Sequence, residues 1–253
     1  MAGLVEINGK PVRVHFDPVL DGRHKEHVWG ELMAFQPFTD YRARMDPEIL
    51  VGEIEIQAIT WFGSRIGFVF LDASLSTVVR GKAVQLPGAS FLRGGSVVIL
   101  SILTCEGREF VPVVTQPRGT IGRLAYTELV AGMLDGSGNV KGKGAAELEE
   151  EAGIKIAEAD LVDMTALAYG DSVPGVFSSP GASDEFIRHM LYRATVTREQ
   201  LDSIRGRECG LREHGEIITV GVIPLADVWR RLPDEHTLSA LLLYKELKAA
   251  GRL

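Results

Sequence analysis

Hydrophobic positions along the chain change rhythm after about residue 95. Before that point, residues 12–16, 53–61 and 66–72 alternate apolar and polar side chains between turns, and each reads as a strand. Residues 27–35 and 40–45 follow neither the strand nor the helix period. Gly94-Gly95 then breaks the chain ahead of its most apolar run, residues 97–103. This run and residues 109–114 are predicted as two strands joined in a hairpin-like connection across Cys105-Glu106-Gly107-Arg108. Pro117-Arg118-Gly119 closes the pair. A loop rich in Gly, Asp, Ser and Asn follows Gly132, and residues 145–152 have helix-forming composition, with Gly153 placed to end the helix. Residues 186–196 and 216–223 read as further strands. Residues 226–231 and 237–250 read as helices, the second with Leu238, Leu241, Leu242 and Leu247 on an apolar stripe. Strands and helices interleave here without a regular βαβ rhythm, which predicts an α+β fold with a mixed sheet.

Composition narrows the classes. With 253 residues, 45% hydrophobic and 24% charged, the chain suits a globular fold of one large domain or of a small and a medium one. A net charge of −7 leaves no basic footprint for nucleic acid, although a metal ion and a few arginines could still receive an anionic substrate. Cys105 and Cys209 lie far apart without CxxC spacing, so a reducing compartment is expected and no disulfide framework. No HExxH or Cys/His cluster offers a zinc site. The first residues do not read as a secretory signal, and no apolar run approaches the ~18 residues of a spanning helix. A cytoplasmic location with no membrane partner is therefore expected. Gly251-Arg252-Leu253 reads first as a basic helix end and second as a distant relative of the Ser-Lys-Leu peroxisomal address.

The chemistry concentrates in residues 145–152. Glu147, Glu150 and Glu151 stand at i, i+3 and i+4, which puts three carboxylates on one helix face. Such a face is either simply solvated or a site for a hard cation such as Mg²⁺ or Mn²⁺, whose remaining waters a phosphate can displace.

The surroundings resemble a known pattern. Gly132, Glu147, Leu148, Glu150, Glu151, Gly153 and Ile154 fall at the offsets of the Nudix box, Gly-x5-Glu-x7-Arg-Glu-apolar-x-Glu-Glu-x-Gly-apolar. Gly138 stands in place of its first glutamate and Ala146 in place of its arginine. The run Glu128-Leu129-Val130-Ala131-Gly132-Met133-Leu134-Asp135 is similar to one in the ADP-sugar diphosphatase group of that superfamily, especially its plant-type enzymes. Phe62-Gly63-Ser64-Arg65-Ile66-Gly67-Phe68, Gln116-Pro117-Arg118, Ser179-Pro180-Gly181 and the stretch from Gly210 to Glu216 resemble the same group in the same order, over roughly residues 50–250.

The resemblance implies a Nudix α/β/α sandwich over residues 96–253, preceded by a smaller β-rich domain over residues 1–95 that serves dimerisation and substrate capping. It implies Mg²⁺, or Mn²⁺, held by Glu147 and Glu151, with Glu150 sharing a second ion and acting in catalysis. The carbonyl of Ala131 would be a further ligand, aimed inward by a tight turn at Gly132, and Glu216 an additional one. Glu213 is the expected general base, with His214 as the alternative. Arg93 and Arg118 would pair with phosphate oxygens and Glu128 with a sugar hydroxyl, while Gly132 and Leu134 would also line the substrate. Residues 179–184 would shape the sugar pocket; Trp61 is either a purine stack or part of a core or dimer interface. Lys141 or Lys143 could make up for the missing box arginine. The activity implied is hydrolysis of ADP-glucose or ADP-ribose to AMP and a sugar phosphate by a homodimer. The alternatives are the same chemistry on UDP-glucose, or a nucleotide-sugar-binding module weakened by Ala146.

Overall fold

The computed structural model describes residues 2–17, 25–210 and 218–253. It divides into two compact units, one of Met1–Gly95 with Phe177–Glu185 and one of Ser96–Val176 with Phe186–Leu253.

The first unit is a sheet with two helices. Its elements are β1 (Ala2–Ile7), β2 (Lys10–Phe16), α1 (Lys25–Ala34), α2 (Gln36–Ala43), β3 (Leu50–Phe62), β4 (Arg65–Val79), β5 (Lys82–Leu86) and β6 (Ser90–Leu92). The strands run β1-β2-β3-β4-β5, with β6 also on β4. β2 and β3 are parallel, and a parallel pair needs a crossover; α1 and α2 lie between them in sequence. Alternate residues Val12, Val14, Ile54, Ile56, Val69 and Leu71 turn to one face and meet Leu32 and Phe38 from the helices. The stretches without a clear period are thus helical. Leu32 is wholly buried on α1, while α2 buries only Pro37 and Phe38, too few positions to write a stripe.

Residues 177–185 belong to this unit, a correction to a boundary that put everything after residue 95 in the second. Asp184 accepts the N–H groups of Arg93 (2.8 Å) and Gly94 (3.0 Å). Phe91 donates to the Ala182 carbonyl at 2.8 Å.

The second unit contains β7 (Ser96–Cys105), β8 (Arg108–Arg118), β9 (Arg123–Glu128), β10 (Val130–Met133), α3 (Val140–Ala152), β11 (Val162–Asp163), α4 (Met164–Tyr169), β12 (Val176–Phe177), β13 (Phe186–Thr195), α5 (Arg198–Ile204), β14 (Glu208–Cys209), β15 (Ile218–Pro224), α6 (Leu225–Arg231) and α7 (Glu235–Ala249). Its sheet runs β11-β13-β7-β8-β15-β14, with β10 also on β7 and β9 on β8. β13 and β7 are parallel and most other pairs antiparallel, so the sheet is mixed. β7 is mostly apolar and almost wholly buried, with Ser96, Ser101 and Thr104 its polar positions, because both its faces are covered. Val97, Ile99 and Leu103 pack with Leu148 of α3 and Leu201 of α5. Val98, Leu100 and Ile102 pack with Met164, Val228 and Leu243 of α4, α6 and α7. This is a helix–sheet–helix sandwich.

Local chemistry fixes the joints. Glu106 (φ 50°) and Gly107 (φ 73°) make the left-handed two-residue turn between β7 and β8. α3 begins five residues ahead of the helix-forming stretch, at an Asn139 cap whose side chain accepts from the Gly142 N–H at 3.0 Å. Gly142 and Gly144 weaken helix propensity and hide that start. On α7 the buried face is Thr237, Ala240, Leu243, Tyr244 and Leu247, whereas Leu238 and Leu242 are exposed. The chain's last residues finish this helix, with Gly251 N–H on the Lys248 carbonyl and Arg252 N–H on that of Leu247. Among the described residues no helix is long and apolar enough to cross a membrane.

Candidate active site

Leu148 and Ala152 seat α3 on the sheet, and Gly144 lets it come close: a Cβ there would stand 3.3 Å from Leu161 and 3.5 Å from Val97. With that face committed, Glu147 and Glu151 fall on the flank that meets β10, and both are buried. The Glu147 carboxylate lies directly over Gly132. A Cβ on that glycine would be 2.0 Å from its Cδ and its Oε1. Gly132 is therefore not a turn residue as expected. It sits within β10, paired with Val97 and without a positive φ, and its missing side chain makes room for Glu147.

Glu151 Oε2 accepts the Ala131 N–H at 3.3 Å. Within a strand a residue's N–H and C=O face the same neighbour, so the Ala131 carbonyl faces the α3 side too. Burial first, and then the nearby Glu147 charge, push the Glu151 carboxyl up to about 8, against the Ala131 N–H; Glu128 adds to the rise and Arg118 opposes it. Glu128 is itself buried. Its Oε1 accepts from Arg118 Nε (2.8 Å) and Nη2 (2.6 Å) and from Gln116 Nε2 (3.0 Å). Arg118 and Glu128, expected on separate parts of a substrate, hold each other beside Glu151.

One turn before Glu147, Lys143 places Nζ 2.9 Å from Glu147 Oε1. Burial works against its charge, but Glu147 together with Asp135 and Glu150 raises its pKa above the usual lysine value. Glu150 is exposed, and its carbonyl accepts the Gly210 N–H at 3.3 Å. Arg207 donates to the Gly153 carbonyl at 2.9 Å, closing the end of α3. Cys209 stands nearby, its thiol raised by burial, with Arg207 acting against this and Glu151 adding to it.

The remaining expected residues have the following surroundings within their own units. Leu134 puts its side chain in the core, and its carbonyl accepts Ser137 N–H across a tight turn. In the first unit Arg93 pairs with Glu185 at 3.0 Å and covers the Phe68 ring. Residues 179–184 are part of that unit, and Trp61 stacks on His27 at its core's edge. Glu213, His214 and Glu216 lie outside the described residues. Among the described residues, no three His, Cys, Asp or Glu side chains gather into a group able to hold an ion. Two buried carboxylates and a backbone carbonyl nevertheless form a hard-oxygen donor set that suits a divalent cation. The charge crowding at Glu147 and Glu151 is what such a cation relieves. Of the two lysines named in place of the box arginine, Lys143 is seen to pair with Glu147, at i,i+4 on the helix.

This fold and this glutamate helix are those of a Nudix protein, and the chain belongs to the Nudix hydrolase superfamily. Over 207 residues it is 37% identical to Nudix hydrolase 14, chloroplastic, of Arabidopsis thaliana, an alignment that takes in 81% of this chain and 66% of that relative. The chain thus spans just under two thirds of the relative's length. It also superposes on a solved structure described as an ADP compounds hydrolase, with a TM-score of 0.51 and 16% identity over 81% of this chain and 97% of the other. At that identity the likeness is one of fold. No protein-family model matches the chain.

Proposed function

We propose that the protein hydrolyses the diphosphate bond of a nucleoside-diphosphate sugar, ADP-glucose or ADP-ribose, to AMP and a sugar phosphate. The observation that carries this reading is the buried Glu147–Glu151 pair set against Gly132. It is a crowded pair of buried carboxylates whose charged forms a divalent cation would stabilise and link to a phosphate. The relative's name, Nudix hydrolase, and the structural neighbour's action on ADP compounds support the same class.

In this reading Glu147, Glu151 and the Ala131 carbonyl hold Mg²⁺, with Mn²⁺ able to replace it, and Glu150 and Glu216 complete the set. A divalent ion held by these residues would supply charge neutralisation for the diphosphate and a more acidic water. Glu213 takes the proton from the attacking water, with His214 as the alternative base. Arg118 orients Glu128, which presents its carboxylate beside the site for a sugar hydroxyl. Ala146 does not leave Glu147 unsupported, because Lys143 holds it. The active species is a homodimer formed through the first unit.

The test is a panel of ADP-ribose, ADP-glucose and UDP-glucose with Mg²⁺, products identified by mass. AMP with sugar phosphate from the ADP-sugars is the expected result. Tight binding of the panel without turnover under Mg²⁺ or Mn²⁺ would overturn it in favour of a binding module.

A further inference from the structure

We infer that Lys143 is an exchangeable counter-cation: it holds Glu147 while the site is free of metal, and an arriving divalent ion must displace it from that carboxylate. The inference rests on the metal site proposed above and concerns how that site is loaded.

Three observations carry it. First, the contact is made on one particular oxygen. Lys143 Nζ is 2.9 Å from Glu147 Oε1, and this is the same oxygen that lies over Gly132, on the β10 side where Ala131 and Glu151 meet. An ammonium and a divalent ion sharing that oxygen would repel each other strongly at such range. Second, the two partners differ in exposure. The Glu147 side chain is 11% exposed and that of Lys143 is 29%, so the lysine has a way out to water that the glutamate lacks. Third, a lysine ammonium is a point charge on a flexible four-carbon stem, without the planar two-bond grip that would fix an arginine on a carboxylate. Asp135 and Glu150 also act on Lys143, so the ammonium meets other carboxylates near its present place.

A residue that only braced Glu147 would help metal binding. A counter-cation does the opposite: it stabilises the metal-free chain and competes with the ion. The two roles therefore predict opposite signs, and the experiment reads both. The full chain and its Lys143→Met and Lys143→Arg variants are stripped with chelator. Each is then titrated calorimetrically with Mn²⁺ and Mg²⁺ and melted in chelator. Lys143→Met should lower the metal-free melting temperature while tightening Mn²⁺ binding about fivefold, the factor that corresponds to ~1 kcal/mol for a partly exposed ion pair. Lys143→Arg, which keeps the charge, should not tighten it. Weaker or unchanged metal binding in Lys143→Met, with the unsubstituted chain binding metal normally, would overturn the exchange and leave Lys143 a brace. No divalent binding by the unsubstituted chain would overturn the metal site itself, and the exchange with it.

Discussion

Replacing Gly132 with alanine tests the site at its tightest point. The backbone offers no objection: Gly132 lies in a strand, pairs with Val97 and has no positive φ. The new methyl would stand 2.0 Å from the Glu147 carboxylate, where ordinary contact begins at 3.4 Å, so the carboxylate must retreat by about 1.4 Å, the difference of the two. Moving one ligand by ~1 Å in an active site costs on the order of 100-fold, or ~2.7 kcal/mol of barrier. Stability should hardly change. Weakening the Lys143 pair costs at most ~1 kcal/mol, and the loss of glycine's freedom in the unfolded chain returns ~0.4–1 kcal/mol. The assay is kcat/KM on ADP-ribose with Mg²⁺ beside a thermal melt of the same preparation. We expect a melt within a few degrees of the parent and a rate about 100-fold lower. Adding Glu147→Gln to Gly132→Ala should then lower the rate little further, since both act on one carboxylate. A Gly132→Ala protein that keeps its rate within threefold would refute the claim that the site depends on where Glu147 sits.

Three further outcomes follow from named contacts. His189 is wholly buried, hydrogen-bonded to Ser239 at 2.6 Å, and held down to about 4, first by burial and then by His236. Because the folded value lies below the unfolded one of ~6.5, stability is full above ~6.5 and is lost as pH falls toward 4, by roughly 3 kcal/mol. Denaturant unfolding across pH 4 to 7.5 should show this slope and His189→Gln should flatten it; an equal slope in both would contradict the assignment. Asn139→Ala removes the cap on Gly142 and the bonds to Glu158, both at 3.1 Å, and should cost ~1 kcal/mol, visible as a fall of about 2–4 °C in Tm. Arg118→Lys gives up the two bonds to Glu128 Oε1 and should raise KM for the nucleotide sugar several-fold with a smaller change in kcat; an unchanged KM would separate the pair from substrate binding.

How legible this was in the sequence depended on how local each cause is. β7 was readable because burial on both faces makes it the most apolar run in the chain, and the end of α3 because Gly153 is left-handed at its cap (φ 65°). The helices α1 and α2 were not: α1 packs Val28, Trp29, Leu32 and Met33 against the core with Leu32 alone wholly buried, and α2 buries only Pro37 and Phe38, so neither shows a long stripe. On α7 the expected leucine stripe holds in half: Leu247 is buried and Leu241 packs on the core, but Leu238 and Leu242 are exposed and the helix buries Thr237 and Ala240, small residues that admit close packing. At the site, spacing put Glu147, Glu150 and Glu151 on one side of a helix but could not say which are buried. It gave Gly132 a turn, where the real cause is a carboxylate from 15 residues later in the chain, at position 147. Arg118 and Glu128 were singled out separately, because they stand opposite Arg123 and Val114 in the β8–β9 register and their long side chains meet along the hairpin, a contact no motif spells out.

The place of residues 177–185 in the first unit makes the two units topologically interleaved. The chain crosses from one to the other near residue 95, returns near 177 and crosses again after 185. Cutting at residue 95 would not release an independent second unit. The remaining chain would carry Asp184 without the Arg93 and Gly94 amides it accepts, and Glu185 without Arg93. Each unit is thus discontinuous in sequence, and loss or exchange of the first would have to take residues 177–185 out of the middle of the second unit's sequence as well.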